Sequence, residues 1–177
     1  MSGHNKWAQI KHKKAASDAK RSKVFSKLAR LIAVESKIVG GNVDSPNLRS
    51  AIERAKAVSM PKENIERAVT KGKSDTGVAM EAITYECYGP GGVAMLIDTL
   101  TDSRNRTNQE LKHLLSLNDI ALAAPGSAAW AFSKLPDGTW QPNSTIDLTD
   151  EDLAKLETLV DALEDRDDVE SVVTNAA

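Results

Sequence analysis

The 177 residues carry 23 Lys+Arg against 25 Asp+Glu, and 41% are hydrophobic, an ordinary share for a chain that buries a core. Aromatics are only 4%, so that core must lean on Ala, Leu, Ile and Val. A lone Cys87 excludes an internal disulfide, no apolar run approaches the ~20 residues of a membrane span, and Met1–Ile10 lacks the apolar stretch of a secretory signal, so the expected location is the cytoplasm.

In chain order, the first fourteen residues read as a polar, basic arm with two apolar anchors, Trp7 and Ile10. A long helix is predicted from about Ala15 to Val39, with Val24, Phe25, Leu28, Leu31 and Ile32 on one side and Gly40-Gly41 as its stop. Ser45-Pro46 opens a second helix by supplying a cap and a proline at the first turn, with Leu48, Ala51, Ile52, Ala55 and Val58 on one face. Pro61 opens a third, with Ile65, Ala68 and Val69 inward and Gly72 as the stop. Residues 73–80 read as a linker.

The period then changes. Ile83, Tyr85 and Cys87 alternate with Thr84, Glu86 and Tyr88, as a strand requires, and Gly89–Gly92 turns the chain into a second strand, Val93–Leu100, apolar enough to be central. Residues 104–117 are predicted helical, with Leu111, Leu114 and Leu115 buried. Ala128–Phe132 alternates, with Trp130 and Phe132 on one side. Pro136-Asp137-Gly138 turns, and Trp140–Leu148 returns. Thr149 caps a final helix with Leu153, Leu156, Leu159, Val160 and Leu163 inward, and Val169–Val173 closes as a strand.

The fold class expected is therefore α+β, an N-terminal three-helix domain followed by a domain whose helices pack on an antiparallel or mixed sheet. Residues 1–76 form the basic helical domain with its arm, and 77–177 the acidic α+β domain.

Charge is divided between these parts. Residues 1–73 hold 17 Lys+Arg and 6 Asp+Glu, while residues 74–177 hold 6 Lys+Arg and 19 Asp+Glu. Such asymmetry points to a nucleic-acid or membrane partner for the basic half, or to mutual neutralisation of the halves. On the long helix Lys13, Lys20, Lys23, Lys27, Arg30 and Lys37 cluster within about a third of the circumference, counting ~100° per residue. A phosphate backbone matches a row of cations and releases counterions on binding. The candidate contacts are Lys6, Trp7, Lys11, His12, Lys13, Lys14, Lys20, Arg21, Lys23, Lys27 and Arg30. Trp7 has two readings, a stacking ring for an exposed base or a core anchor for the arm. Arg104 and Arg106, where a strand enters a helix, form a secondary anion site or pair with local acids.

Enzyme-like features fall away. Gly89-Pro90-Gly91-Gly92 lacks the Lys-Ser/Thr of a phosphate-binding loop and leads into a strand. His4, His12 and His113 have no metal-ligand spacing, and Cys87 has no basic partner and reads as a buried small residue. No metal, cofactor or catalytic group is expected.

The blocks GHNKWAQIKHKKAASDAKRSKVFSKLAR, MPKENIERAVTKG, YECYGPGGVAMLIDTLTDSRNRT, GSAAWAF and LTDEDLAKLETLVDALEDRDDVESVVTN run in order along nearly the whole chain. In these the sequence resembles the YebC/PmpR family, whose relatives include a mitochondrial translational activator. The resemblance implies a helical N-terminal domain followed by α+β domains and no enzymatic activity. It implies one of two roles, a DNA-binding transcriptional regulator or a translation factor that helps ribosomes through proline-rich stretches. Carried over by position, Lys6, Trp7, Lys11, His12, Lys13, Lys14, Lys20, Arg21 and Lys27 become candidate nucleic-acid contacts.

Two departures stand out. Cys87 occupies a position where relatives usually have Gly. An α+β domain that relatives insert after GSAAWAF is missing between 133 and 146, where only a short hairpin around Asp137-Gly138 is left. The surviving helix and strand, 149–174, should complete the sheet of residues 81–133.

The expected partners are ribosomal RNA or tRNA, or DNA, with the ribosome as a candidate and no membrane. The chain is expected to be a monomer or weak oligomer. The elongated basic helix suits irregular RNA, whereas residues 47–72, with Arg67, Lys71 and Lys73, could pass for a helix-turn-helix. A protein adaptor with a basic docking patch is the alternative from another class.

Overall fold

The computed structural model describes residues 6–13, 18–74 and 79–177. In chain order its helices and strands are α1 (Lys6–Lys13), α2 (Asp18–Ile38), α3 (Pro46–Ala57), α4 (Lys62–Ser74), β1 (Glu81–Tyr88), β2 (Ala94–Thr101), α5 (Arg104–Ser116), β3 (Phe132–Lys134), β4 (Trp140–Pro142), α6 (Asp150–Glu164) and β5 (Val169–Thr174). They divide between two compact units. Residues 1–15, 81–133 and 140–177 form one, and residues 16–80 with 134–139 form the other. This differs from a single boundary after residue 76 in two places. The arm belongs to the sheet unit, and the turn 134–139 belongs to the helical one.

The helical unit is built on α2. Leu28 and Ile32 are buried with Leu48, Ala51, Ala55, Met60, Ile65 and Ala68 in one apolar cluster. The buried stripe is narrower than the apolar pattern predicts, since Val24 stays exposed. At the end of α2 the Gly41 N–H donates to the Ser36 carbonyl at 2.8 Å, with Gly40 and Gly41 both at positive φ, so the glycine pair does stop this helix. Gly72 has a different role from the stop expected of it. It lies inside α4, where a Cβ would run into the Ala33 carbonyl oxygen and the Ser36 side chain. The missing side chain lets α2 and α4 approach closely, and the buried Ser36 hydroxyl uses that proximity to donate to the Val69 carbonyl at 2.7 Å.

In the sheet unit β1, β2 and β5 form an antiparallel sheet in the order β1-β2-β5. Strand β2 is central and buried on both faces, which explains its unbroken apolar run. Met95 and Ile97 face a cluster with Leu111 and Leu115 of α5, Leu156, Leu159 and Leu163 of α6, and Trp7 of α1. Ala94 and Leu96 face Ala128, Ala131 and Phe132. The Thr149 hydroxyl accepts from the Asp152 N–H at 3.1 Å, the cap expected of α6. Residues 149–174 complete the sheet of residues 81–133 through β5, as expected.

Two stretches read as strands are different. Ala129–Ala131 is a single 3-10 turn, leaving Trp130 outside and Phe132 inside, so these two do not share a side. The returning strand is only Trp140–Pro142, paired with β3. The arm, for which the sequence pattern predicts no element, is helical over residues 6–13.

Candidate nucleic-acid interface

The sequence-predicted cations end in different surroundings. Helix α1 is anchored by Trp7, whose ring is only 7% exposed within the sheet unit's main core, and by the Trp7 N–H, which donates to the Ala177 carbonyl at 3.3 Å. A buried ring cannot stack on a base, so Trp7 is withdrawn as a nucleic-acid contact. It is the core anchor that its spacing with Ile10 also allowed. Lys6 pairs with Asp150. Lys11 lies 3.5 Å from Glu164, donates to the Val172 carbonyl at 3.0 Å, and sits 5.8 Å from the centre of the Trp7 ring. These two cations of the arm therefore face carboxylates of the same unit. His12 and Lys13 close α1; their side chains, and all of Lys14, lie outside the described residues.

On α2 Lys20, Lys23, Lys27, Arg30 and Lys37 lie away from the stripe of Leu28, Ile32 and Ser36. Lys20 and Arg21 are exposed, and Lys23, Lys27 and Arg30 are half-exposed. The reason is periodic for four of them: at ~100° per residue Lys20, Lys23, Lys27 and Arg30 fall on the side opposite the buried stripe, whereas Arg21, seven residues before Leu28, falls in line with it and is exposed near the start of the helix. Helix α4 adds exposed Arg67, Lys71 and Lys73.

Arg104 and Arg106 do not make the secondary anion site. Arg104 donates through Nε and Nη2 to the two oxygens of the Glu81 carboxylate. Arg106 Nη2 donates to Asp102 at 2.8 Å and to Asp168 at 2.9 Å. Asp168 is buried and also accepts from the Thr107 hydroxyl at 2.7 Å. Burial pushes the Asp168 carboxyl up, but Arg106, Thr107 and Thr101 outweigh that and hold it below the ordinary aspartate value. Arg106 is raised in turn, chiefly by its hydrogen bond to Asp168. These arginines tie α5 to the sheet instead of offering donors to a ligand.

A second buried carboxylate escaped the sequence reading. Glu86 on β1 accepts from the backbone N–H groups of Gly126 at 2.7 Å, Ala128 at 2.7 Å and Ala129 at 2.8 Å. Burial raises its carboxyl, and the three donors more than reverse this, so the group lies below its ordinary value. The available signal was an acid among apolar strand residues, followed later by Gly-Ser-Ala-Ala, a run with several donors to satisfy. Cys87 is fully buried, and burial pushes its thiol up to about 12, as suits a packing residue. Among the described residues no His, Cys, Asp or Glu group is placed to hold a metal ion, and no helix is long and apolar enough to cross a membrane.

A basic helical unit and a carboxylate-rich sheet unit define a two-unit α+β protein with its charge segregated along the chain. The chain belongs to the TACO1/YebC family: the family's N-terminal domain matches residues 5–75, and its second and third domain matches residues 80–136 and 137–176. A "Probable transcriptional regulatory protein" of Fervidobacterium nodosum is 40% identical over 235 positions, covering 99% of this chain and 93% of that protein. Those 235 positions exceed the chain's 177 residues, so the alignment opens a long gap in this chain. A protein of the same name from Thermotoga maritima is 54% identical over 136 residues, which span 76% of this chain and about half (54%) of that relative. The crystal structure of a conserved hypothetical protein from Aquifex aeolicus matches with a TM-score of 0.79 at 34% identity, covering 97% of this chain and 96% of that one.

Proposed function

We propose that this chain is a regulator of gene expression that grips nucleic-acid phosphates with the outer flank of α2. The observation that carries the reading is the placement of Lys20, Lys23, Lys27 and Arg30 with solvent access on the side of one helix opposite its packed stripe, with Arg21 exposed beside them near the start of the helix. A helix held in this way presents its cations at a set spacing, and exchange of condensed counterions drives their union with phosphates. The relatives' name supports a regulatory role.

Within that reading the partner is structured RNA on the ribosome, in the cytoplasm, and the chain acts without catalysis as a translation factor. The family resemblance extends this to elongation through proline-rich stretches. The relatives' printed name favours a second reading, binding to promoter DNA.

Co-sedimentation with ribosomes, followed by a salt-titrated competition between ribosomal RNA and duplex DNA, separates the two. The variant K20E/K23E/K27E is expected to weaken binding by ~100-fold or more at moderate salt and to flatten the salt dependence. Undiminished binding by this variant would remove α2 as the contact surface. Binding that persists after nuclease treatment would instead indicate a protein adaptor.

A further inference from the structure

We infer that Trp130, held in place by Tyr88 and Ser127, is a stacking platform for an unpaired nucleobase. This rests on the nucleic-acid reading above and adds to it a contact on the sheet unit, separate from α2. Trp130 is 67% exposed and Tyr88, at the end of β1, is 40% exposed. An exposed aromatic ring is usually mobile, but this one is fixed. Its Nε1–H donates to the Ser127 carbonyl at 2.9 Å and to the Tyr88 hydroxyl at 3.0 Å, and the Tyr88 hydroxyl itself donates to the Ser127 carbonyl. The Trp130 carbonyl accepts from Asn143 Nδ2 at 3.2 Å. Glu86 locks the N–H groups of Gly126, Ala128 and Ala129, so the carboxylate acts as a positioning residue for the turn that carries the ring.

These bonds also define the ligand. The indole N–H is already engaged, so the ring offers its faces alone. A partner must be flat and recognised by stacking, which any base can satisfy. A ring fixed before binding loses little side-chain entropy on contact.

The area argues against a protein partner. One partly exposed indole and its tyrosine neighbour are far smaller than the ~800 Å² per partner of a stable protein interface. Charge agrees. Residues 120–136 carry no Asp or Glu and a single Lys134, within a half of the chain that otherwise holds 19 acids, and residues 87–97 carry no charge at all. The carboxylate built into the platform, Glu86, is buried and engaged by three backbone N–H groups, so it faces the turn and not a phosphate backbone outside.

The test compares a short single-stranded RNA with the same sugar–phosphate chain stripped of its bases, each titrated against the full chain. The intact oligomer is expected to bind about tenfold more tightly. Trp130→Ala should erase that preference and leave the salt dependence unchanged, because no phosphate contact is lost. Trp130→Phe should keep most of the preference and abolish the oligomer-induced quenching of tryptophan fluorescence. Quenching that survives Trp130→Phe, or a preference that survives Trp130→Ala, overturns the platform. Equal binding of both oligomers by the unaltered chain overturns the platform and leaves the phosphate grip standing. No binding of either removes both readings.

Discussion

The two units handle polar groups in opposite ways. Of the buried polar residues among those described, only Ser36 belongs to the helical unit. Glu86, Thr99, Thr101, Thr107, Asp168, Thr174 and Asn175 all belong to the sheet unit. A helix satisfies its own backbone, so α2–α4 need little beyond apolar contact and one hydroxyl at a close crossing. A three-stranded sheet with long connections has loose polar groups at its margins, and buried carboxylates take them up: Glu86 the backbone N–H groups of the 126–129 turn, and Asp168 the Thr101 and Thr107 hydroxyls and the Arg106 guanidinium at the entrance to α5. Cations meet carboxylates in both units, and in the helical one Lys56 pairs with Glu53 and Lys62 with Glu66. Lys6, Lys11, Arg104 and Arg106, all in the sheet unit, meet carboxylates of that unit, so a basic residue is not by itself a binding residue.

The sharpest way to break this comparison is Leu28→Asp. A charge placed in the buried stripe of α2 should destabilise the helical unit by ~4 kcal/mol or more and unfold it. All three tryptophans, Trp7, Trp130 and Trp140, lie in the sheet unit and report on it alone. The far-ultraviolet helical signal should therefore fall while tryptophan fluorescence stays near its native value. Loss of both together would show that the units do not fold independently.

A smaller effect is expected at Glu86. Replacing it with Ala leaves the Gly126, Ala128 and Ala129 donors unmatched, at ~2–3 kcal/mol, read from the denaturation midpoint by fluorescence. Acid should act in the same direction. Glu86 and Asp168 are held below their unfolded values, so their stabilisation is present above those values and is lost as pH falls through the lower folded ones. Glu35 in the helical unit is raised by burial, with a partial offset from Asn47, so protonation relieves that unit instead. On acidification the fluorescence transition should come together with a first, partial loss of helical signal from α1, α5 and α6, and the remainder, from α2–α4, should follow at lower pH. The reverse order would remove the buried carboxylates as the acid-sensitive groups of the sheet unit.

The smallest effect is predicted for Lys6→Ala with Lys11→Ala. Their carboxylate pairs are exposed, and such pairs add little stability, so the thermal midpoint should hardly move. Nucleic-acid affinity should also fall far less than in K20E/K23E/K27E. An equal loss would return α1 to the interface.

Much of this was legible from patterns with a short reach. Apolar spacing located α2 through α6, and the unbroken apolar run of β2 marked it as central, because both signals follow from how one element buries its own face. Trp7 was ambiguous, since an aromatic on a basic arm fits a core or a base equally well until the surface beneath it is known. Gly72 was misread because a stop and a close crossing demand the same missing side chain. Alternation placed Trp130 beside Phe132, but a 3-10 turn separates them, and the reason lies in Glu86, some forty residues earlier in the chain.

By itself, then, the sequence determined α2 to α6 and β1, β2 and β5, the α+β class and the segregation of charge, all set by residues within a few turns of one another. Which cations are neutralised, which ring is held open to solvent and where the arm docks were decided only in three dimensions. Carboxylate partners, donors and apolar surfaces far apart along the chain meet only once it has folded, and no local periodicity encodes those meetings.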